Sequence, residues 1–326
     1  MSDSVSASPG GQPSTTQPIA GPCDSPNDVT QNERPNVLPD MALWGLGGRS
    51  TIARAFGSSS RAKIPPMHEK SPPESRLAEA AAQLARARHV AVLTGAGVSA
   101  ESGVPTFRDA LTGLWATFDP RELATPSAFA RNPKLVWDWY AERRAQVATV
   151  APNAAHRALV DIEARVPRFL LATQNVDGLH RRAGSRALVE LHGNIARVKC
   201  SACMCIAARW DEAEDALPPR CARCAAFLRP DVVWFEELLP AGALAAAEDA
   251  ARECDVLLVV GTSAEVYPAA ALPDTARAAG ACVIEINPAT TPLTARADFA
   301  LRGRAGDVLP ALVHAAWPAA SALLSP

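Results

Sequence analysis

Apolar positions are sparse and unpatterned over residues 1–73 and become periodic from Glu74 onward. The first stretch is rich in Ser, Pro, Gly, Gln and Asn, too polar to offset the entropy of ordering a chain, and it reads as a disordered tail. Within it, 41–57 (MALWGLGGRSTIARAFG) is more apolar and carries Arg without acid, weakly like an amphipathic docking element, although a sticky patch in a tail explains it more simply. Residues 75–88 are Ala-rich with helical spacing, and His89–Thr94 (HVAVLT) is a continuous apolar run that enters a glycine turn. Further short apolar runs at Arg168–Thr173 (RFLLAT), 255–260 (DVLLVV) and 281–286 (ACVIEI) alternate with helical patterns. Strands without polar alternation are buried on both faces, so the pattern predicts a parallel sheet covered by helices. Ligands of such sheets lie beyond the carboxyl ends of the strands, where this chain carries TGAG, TQNVDG, VGTS and EINP.

Size and charge narrow the class. A chain of 326 residues with 48% apolar positions can bury one large domain with an appendage, and a net charge of −2 supplies no basic field for nucleic acid. No run of eighteen apolar residues marks a membrane span and no secretory signal opens the chain, which predicts a cytoplasmic protein with no membrane partner. Eight cysteines could form a disulfide framework, but Cys200-x-x-Cys203 and Cys221-x-x-Cys224, separated by 17 residues, have the spacing of two zinc knuckles. Four thiolates close the tetrahedral shell, so the metal is expected to be structural. Cys205 is a spare thiol that could replace Cys203.

Three polar motifs sit at the strand ends. In 94–109 (TGAGVSAESGVPTFRD), the Gly95-Ala96-Gly97 turn allows close backbone approach to a phosphate, although it lacks the full spacing of a dinucleotide fingerprint. In 173–180 (TQNVDGLH), Gln174, Asn175 and Asp177 crowd three hydrogen-bonding side chains where a strand ends, suited to a sugar or amide, or to a capped turn. In 190–194 (ELHGN), His192 is the histidine best placed to take a proton from a sugar hydroxyl, its ordinary pKa being about 6.5. His156 and His180 compete with it on composition.

These motifs, with RPDVVWFEE, VGTSAEVYPAA and EINP, occur in the order and spacing of the sirtuin family, and the chain resembles that family from about residue 77 to 315. The resemblance implies a Rossmann-like NAD domain with a smaller zinc-ribbon and helical module, the helical insertion at about 110–165 and the zinc module at about 196–230, within a catalytic domain spanning 74–318 and followed by a short tail at 319–326. It implies NAD contacts for Gly95, Ala96, Phe107, Arg108, Gln174, Asn175, Asp177, Gly261, Thr262, Ser263, Asn287 and Ala305, and makes His192 the general base. The implied reaction removes acyl groups from lysine side chains of proteins. The acyl oxygen attacks the nicotinamide-bearing ribose carbon, nicotinamide leaves, an imidate forms, and acyl-ADP-ribose and free lysine result. The stretch 232–236, with Val233, Trp234 and Phe235, should pair as a strand with the substrate backbone. Here the chain departs from the family: the usual Phe-Gly-Glu reads Phe235-Glu236-Glu237, and Arg-Pro-His reads Arg229-Pro230-Asp231.

On 133–150 the residues Val136, Trp139, Tyr140, Val147 and Val150 form one apolar stripe with Arg143 in its middle and Arg144 at its edge. Tyr140 and Arg143 match the pair that marks the branch of the family accepting acidic acyl chains, and Ala100 and Ala124-Thr125-Pro126 fit the same branch. A snorkelling or ion-paired arginine is the plainer alternative. Two other functions compete: an NAD-consuming mono-ADP-ribosyltransferase using the same pocket, and a non-enzymatic zinc-ribbon adaptor.

Overall fold

The computed structural model describes residues 73–105, 123–210 and 217–318. Phe107 and Arg108, the N-terminal stretch up to residue 72 and the segment 319–326 lie outside the described residues.

The chain enters through helix α1 (Pro73–Arg86) and strand β1 (His89–Thr94), whose six residues are all buried. After two short 3-10 turns, Ala96–Val98 and Ala100–Ser102, come α2 (Pro126–Arg131), α3 (Pro133–Thr149) and α4 (Ala154–Arg165). Each of these helices starts on a side-chain cap, from Thr125, Asn132 and Asn153, and proline occupies the first turn of the first two. Then follow β2 (Arg168–Thr173), α5 (Leu179–Ala183), β3 (Leu188–Glu190), β4 (Gly193–Cys200) and β5 (Leu228–Val232). The chain closes with α6 (Ala241–Glu253), β6 (Val256–Val260), α7 (Leu272–Ala278), β7 (Cys282–Asn287), β8 (Phe299–Arg302) and α8 (Ala305–Ala316).

Six strands form one parallel sheet in the order β3-β2-β1-β6-β7-β8. One face is covered by α1, α4 and α8, whose Leu84, Leu159, Ile162, Leu309 and Leu312 pack on Val90, Val92, Leu258 and Ile284. The other is covered by α6 and α7 through Ala247, Ala251, Leu272 and Ala276 against Leu93, Leu257 and Val283. Within the expected helical insertion of about 110–165, α4 packs into the sheet's own core, whereas α2 and α3 pack on the smaller module. The strand order reverses between β1 and β6, which puts the ligand crevice of this topology beyond Thr94 and Val260.

A second, antiparallel pair, β4 and β5, carries the smaller module. One side packs Ile195, Val232 and Trp234 on Phe129, Val136, Trp139 and Tyr140, and the other packs Val198, Cys200 and Leu228 on the fully buried Trp137. Gly193 opens β4 at φ +81°, and a Cβ there would lie 2.1 Å from the Asp231 carbonyl oxygen, so the glycine of ELHGN is required by the β4–β5 contact itself. Among the described residues no helix is long and apolar enough to cross a membrane.

Candidate active site

The crevice is built by backbone meeting backbone. The Gly97 amide donates to the Gly261 carbonyl at 2.8 Å, the Gly95 amide donates to the Val260 carbonyl at 3.0 Å, and Gly261 itself sits at φ +60°. A Cβ on Gly95 or Gly97 would come within 2.8 Å of Gly261, and one on Gly261 within 2.5 Å of the Val98 nitrogen. The glycines of both turns are thus demanded by this interlock between the ends of β1 and β6, a reason that the phosphate argument from the sequence does not contain.

Around it the polar side chains of the strand ends converge. Gln174 donates from Nε2 to Thr262 Oγ1 at 2.9 Å, and Asn287 donates from Nδ2 to the Thr262 carbonyl at 2.8 Å, tying β2, β6 and β7 into one rim. Ser263 follows on the same half-buried loop, and Ala305 starts α8, where the Glu101 carboxylate accepts the Gly306 amide at 2.7 Å. Beneath the rim lies a buried network. Ser99 Oγ donates to Asp177 Oδ2 at 2.7 Å, and Asn175 Nδ2 lies 3.1 Å from both Ser99 Oγ and the Gly95 carbonyl. The second Asp177 oxygen accepts the Leu179 amide at 2.8 Å. Burial raises the Asp177 carboxyl above its ordinary range, and the bonds from Leu179 and Ser99 oppose the rise. Ser99 and Glu101 are not separable from their motif by spacing or composition, because Asp177 and Gly306, which they hold, are more than seventy residues away.

The three histidines separate cleanly. His180 is buried, contacts Thr94 Oγ1 through Nε2 at 3.0 Å, and is pushed down to about 3, mainly by burial. His156 is fully buried, packs against His180 with ring centroids 4.7 Å apart and the planes tilted by 54°, and is pushed down to about 4, again mainly by burial. Both are neutral parts of the floor. His192 is only partly buried, and its Nδ1 lies 2.9 Å from the Gln174 carbonyl oxygen. That acceptor puts the proton on Nδ1 and leaves Nε2 with its lone pair. Burial lowers the His192 pKa, so at neutral pH the ring is an uncharged base.

A test of the floor follows from the two buried histidines. In the unfolded chain each titrates near about 6.5, whereas in the folded protein each stays neutral until far lower pH. Between these limits the unfolded state binds more protons, so stability falls as pH falls, by up to about 1.4 kcal/mol per pH unit for each ring. Denaturant unfolding at pH 5.0 should therefore give a free energy lower by a few kcal/mol than at pH 7.0, in the order of magnitude set by two such sites. A flat profile over that range would remove the buried pair as an acid-labile element.

The helix α3 pair is placed as follows. Tyr140 is buried, its Oη accepts from Trp234 Nε1 at 3.0 Å, and burial raises its pKa well above the ordinary phenol value, so the O–H proton stays on and remains available to donate. Arg143 stacks its guanidinium 4.3 Å from the Trp139 ring centre and makes no salt bridge among the described residues. Burial lowers its pKa. Arg144, expected at the edge of the stripe, is instead engaged: Nε donates to the Ile195 carbonyl at 2.9 Å, and the guanidinium lies over Trp137 and Trp210. The helical pattern of α3 alone could not see β4 beside it.

Strand β5 ends at Val232, so 233–236 does not continue it as a strand within the protein. The Val233 amide donates to the His192 carbonyl at 2.9 Å and the Phe235 amide to the Ala124 carbonyl at 2.9 Å. Trp234 is buried while Phe235 is exposed. Glu236 stands at φ +72°, the left-handed region that favours glycine, so the departure from the family's Phe-Gly-Glu places a strained backbone beside an exposed carboxylate. The other departure is compensated: Asp231 accepts from Arg197 Nε at 2.9 Å and lies 3.4 Å from Lys199 Nζ, and Arg197 also holds Glu190 at 2.7 Å. Arg229 turns back to grip Glu237 with two bonds, at 2.5 and 2.8 Å.

In the smaller module the sulfurs of Cys200, Cys203, Cys221 and Cys224 all lie within 4.8 Å of one another, with Cys200–Cys224 at 3.4 Å and Cys203–Cys221 at 3.8 Å. Four sulfurs each about 2.3 Å from a central zinc stand about 3.8 Å apart, so the cluster fits that ion. The Ala202 and Cys203 amides each lie 3.4 Å from Cys200 Sγ, and the residues after each knuckle, Met204 and Ala225, take φ +58° and +59°. Cys205 is outside the cluster, 3.2 Å from an Arg223 nitrogen, and does not replace Cys203.

A parallel sheet with a polar crevice at its switch point and a four-cysteine module joined to its rim defines an α/β nucleotide-binding protein with a structural zinc site. The Sir2 family model matches residues 95–268. An NAD-dependent protein deacylase of Ralstonia nicotianae is 54% identical over 240 residues, covering 72% of this chain and 95% of that protein. Among solved structures, a Sir2 homologue in complex with NAD superposes with a TM-score of 0.69 at 46% identity, over 72% of this chain and 92% of that one. A Sir2 protein holding a deacetylated p53 peptide and 3'-O-acetyl ADP-ribose superposes with a TM-score of 0.66 at 29% identity, over 72% and 96%. The chain belongs to the Sir2 family.

Proposed function

We propose that this chain is an NAD-dependent protein-lysine deacylase that releases nicotinamide and O-acyl-ADP-ribose. The observation that carries the reading is His192, held by the Gln174 carbonyl as a neutral imidazole beyond the carboxyl ends of β2 and β3, with no partner for Nε2 among the described residues. Relatives named as NAD-dependent protein deacylases, and a Sir2 structure with a deacetylated peptide and acetyl ADP-ribose, support it.

NAD would supply a glycosidic bond whose leaving group is nicotinamide. Gly95, Ala96, Gln174, Asn175 and Asp177 would face its ribose and nicotinamide end, with Phe107 and Arg108 joining from outside the described residues. Gly261, Thr262, Ser263, Asn287 and Ala305 would face the adenosine end. His192 would take a ribose hydroxyl proton on Nε2, and the Nδ1–H bond to Gln174 would share the charge that the ring gains. Val233, Trp234 and Phe235 would present the acylated peptide, which enters as an extended segment. Cys200, Cys203, Cys221 and Cys224 would hold one structural zinc. The domain would run over 74–318, and thiolate zinc ligands suit a reducing cytoplasm.

Incubation with NAD and an acylated peptide, followed by nicotinamide assay and peptide mass, tests the reading. Deacylated peptide with acyl-ADP-ribose supports it. A peptide heavier by an ADP-ribosyl group indicates the transferase instead, and no nicotinamide indicates the adaptor.

The acyl chain preferred should be acidic. Arg143 is a partly buried guanidinium without a salt-bridge partner among the described residues, and the Tyr140 hydroxyl one helical turn away still has a proton to donate. Together they suit a carboxylate of succinyl- or malonyl-lysine. A hydrogen bond to a charged group is worth about 1.5–3 kcal/mol, which is roughly tenfold to a hundredfold in discrimination. Arg143→Met should lower kcat/KM for succinyl-lysine by about that factor and spare acetyl-lysine. Lys134→Met, on an exposed residue of the same helix, is the control, since Arg144 is itself a structural contact. Equal loss on both substrates, or a wild type that ignores succinyl-lysine, would leave Arg143 a packing residue and the enzyme a deacetylase.

A further inference from the structure

The segment 233–236, beside which the peptide would lie, carries one side chain that the fold leaves unused. From Val232 to Phe235 burial alternates: Val232 and Trp234 are buried, Val233 is half-buried and Phe235 is exposed. This is the inward and outward alternation of extended backbone, and one more residue of it would turn Glu236 inward. The chain turns instead. The Glu237 amide donates to the Trp234 carbonyl at 3.1 Å, and Glu236, third in that turn, takes φ +72°. Glu237 fills the inward place, where Arg229 holds its carboxylate with two bonds and the Trp234 amide donates to it at 2.8 Å. Glu236 stays exposed next to Phe235 and makes no hydrogen bond or ion pair among the described residues. The two adjacent carboxylates thus have different roles. Glu237 closes the turn, whereas Glu236 gives the fold no contact that glycine would lack, and its Cβ makes the left-handed backbone costlier than glycine would. A residue that strains the backbone and returns no internal contact has its use outside the fold. The outward positions just before it, Val233 and Phe235, are those that would present the acylated peptide, so this carboxylate borders the peptide's path. Successive residues of an extended peptide are about 3.3 Å apart, which brings side chains one or two places from the acylated lysine into its range. We propose that Glu236 is a specificity-determining residue that favours protein substrates with a cationic side chain, Arg or Lys, within two residues of the acylated lysine. The inference rests on the deacylase reading and deepens it.

Peptides that carry the same acyl-lysine and differ only in one nearby residue, Arg, Gln or Glu, test it, with that residue placed in turn at the two positions on either side. At low salt, about 0.05 M, kcat/KM of the wild type for the Arg peptide should exceed that for the Gln peptide by about two- to fivefold at one or more positions, the size of an exposed ion pair. The Glu peptide should fall below the Gln peptide, and the differences should lie in KM. Raising the salt to about 0.5 M should bring the Arg-to-Gln ratio towards one, because an exposed pair is screened. Glu236→Gln removes the charge, keeps the length and should bring the ratio near one at low salt. Glu79→Gln removes the same charge from an exposed position on α1 and should keep the wild-type ratio. Each ratio is taken within one enzyme, so a lower folded fraction cancels. Glu236→Gly should also lose the ratio, and should melt above Glu236→Gln because glycine accepts this φ without strain. The inference is overturned by a wild-type ratio near one at every position, by a ratio that Glu236→Gln retains or that Glu79→Gln loses equally, or by Glu236→Gly melting below Glu236→Gln. Failure of the deacylase reading looks different: no peptide gives nicotinamide and deacylated product, and the inference falls with it, whereas every other outcome requires turnover.

Discussion

Replacing His192 with alanine is expected to lower deacylation turnover by about a hundredfold to ten-thousandfold, the range contributed by a positioned acid or base. Binding should survive. Among the described residues His192 makes one polar side-chain contact, to the Gln174 carbonyl, and that carbonyl lies at the rim where the loss of a partner can be made good by water. Its backbone contribution, the carbonyl that accepts the Val233 amide, does not depend on the side chain. The Gln174–Thr262 and Asn287–Thr262 bonds that set the rim are untouched. His192→Ala should therefore bind ADP-ribose with near-normal affinity and melt near the wild-type temperature while turnover collapses. Near-normal turnover in a well-folded variant would move the base elsewhere, and the two other histidines of the site could not take the role as they stand, being sealed in the floor.

Loss of one knuckle cysteine is expected to have the largest effect on stability. Zinc binding to four thiolates is worth on the order of 10 kcal/mol of folding free energy in small modules. On the zinc side of the β4–β5 pair the described part of this module packs only Val198, Cys200 and Leu228 on Trp137, while the other side rests on α2 and α3. Cys221→Ser should bring zinc well below one ion per chain, expose Trp137 to solvent and lower activity. The last effect is transmitted by β4, which begins at Gly193 beside His192 and ends at the ligand Cys200. Metal analysis, tryptophan emission and turnover, measured before and after zinc is stripped and restored, check this. A zinc-free protein that is folded and active would sink it.

What could be read from the sequence follows the range of the forces involved. The bounds of β1 and β2 were legible to the residue, because both are short runs without alternation, set off by turns. Strands β3 and β8 were not anticipated: they are three- and four-residue strands at the two edges of the sheet, only partly buried and without a pattern of their own. The cysteine pairs were legible because a metal shell fixes their spacing. Gly97 was legible as a glycine turn but not as the partner of Gly261, which lies more than 160 residues away. The contacts of Arg144 were not legible for the same reason, its partners being on β4 and in the stretch before Cys221.

The glycine interlock also constrains how this protein can change. At Gly95, Gly97 and Gly261 the smallest step available, a single methyl, already meets backbone at 2.8 Å or less, and backbone cannot swing aside as a side chain can. These codons have no permissive neighbours: drift at any one of them forces β1 and β6, the two central strands of the sheet, apart. Adaptation to a new cofactor must then come from the opposite wall, through Gln174, Thr262 and Asn287, whose contacts are side-chain bonds that can be exchanged one at a time.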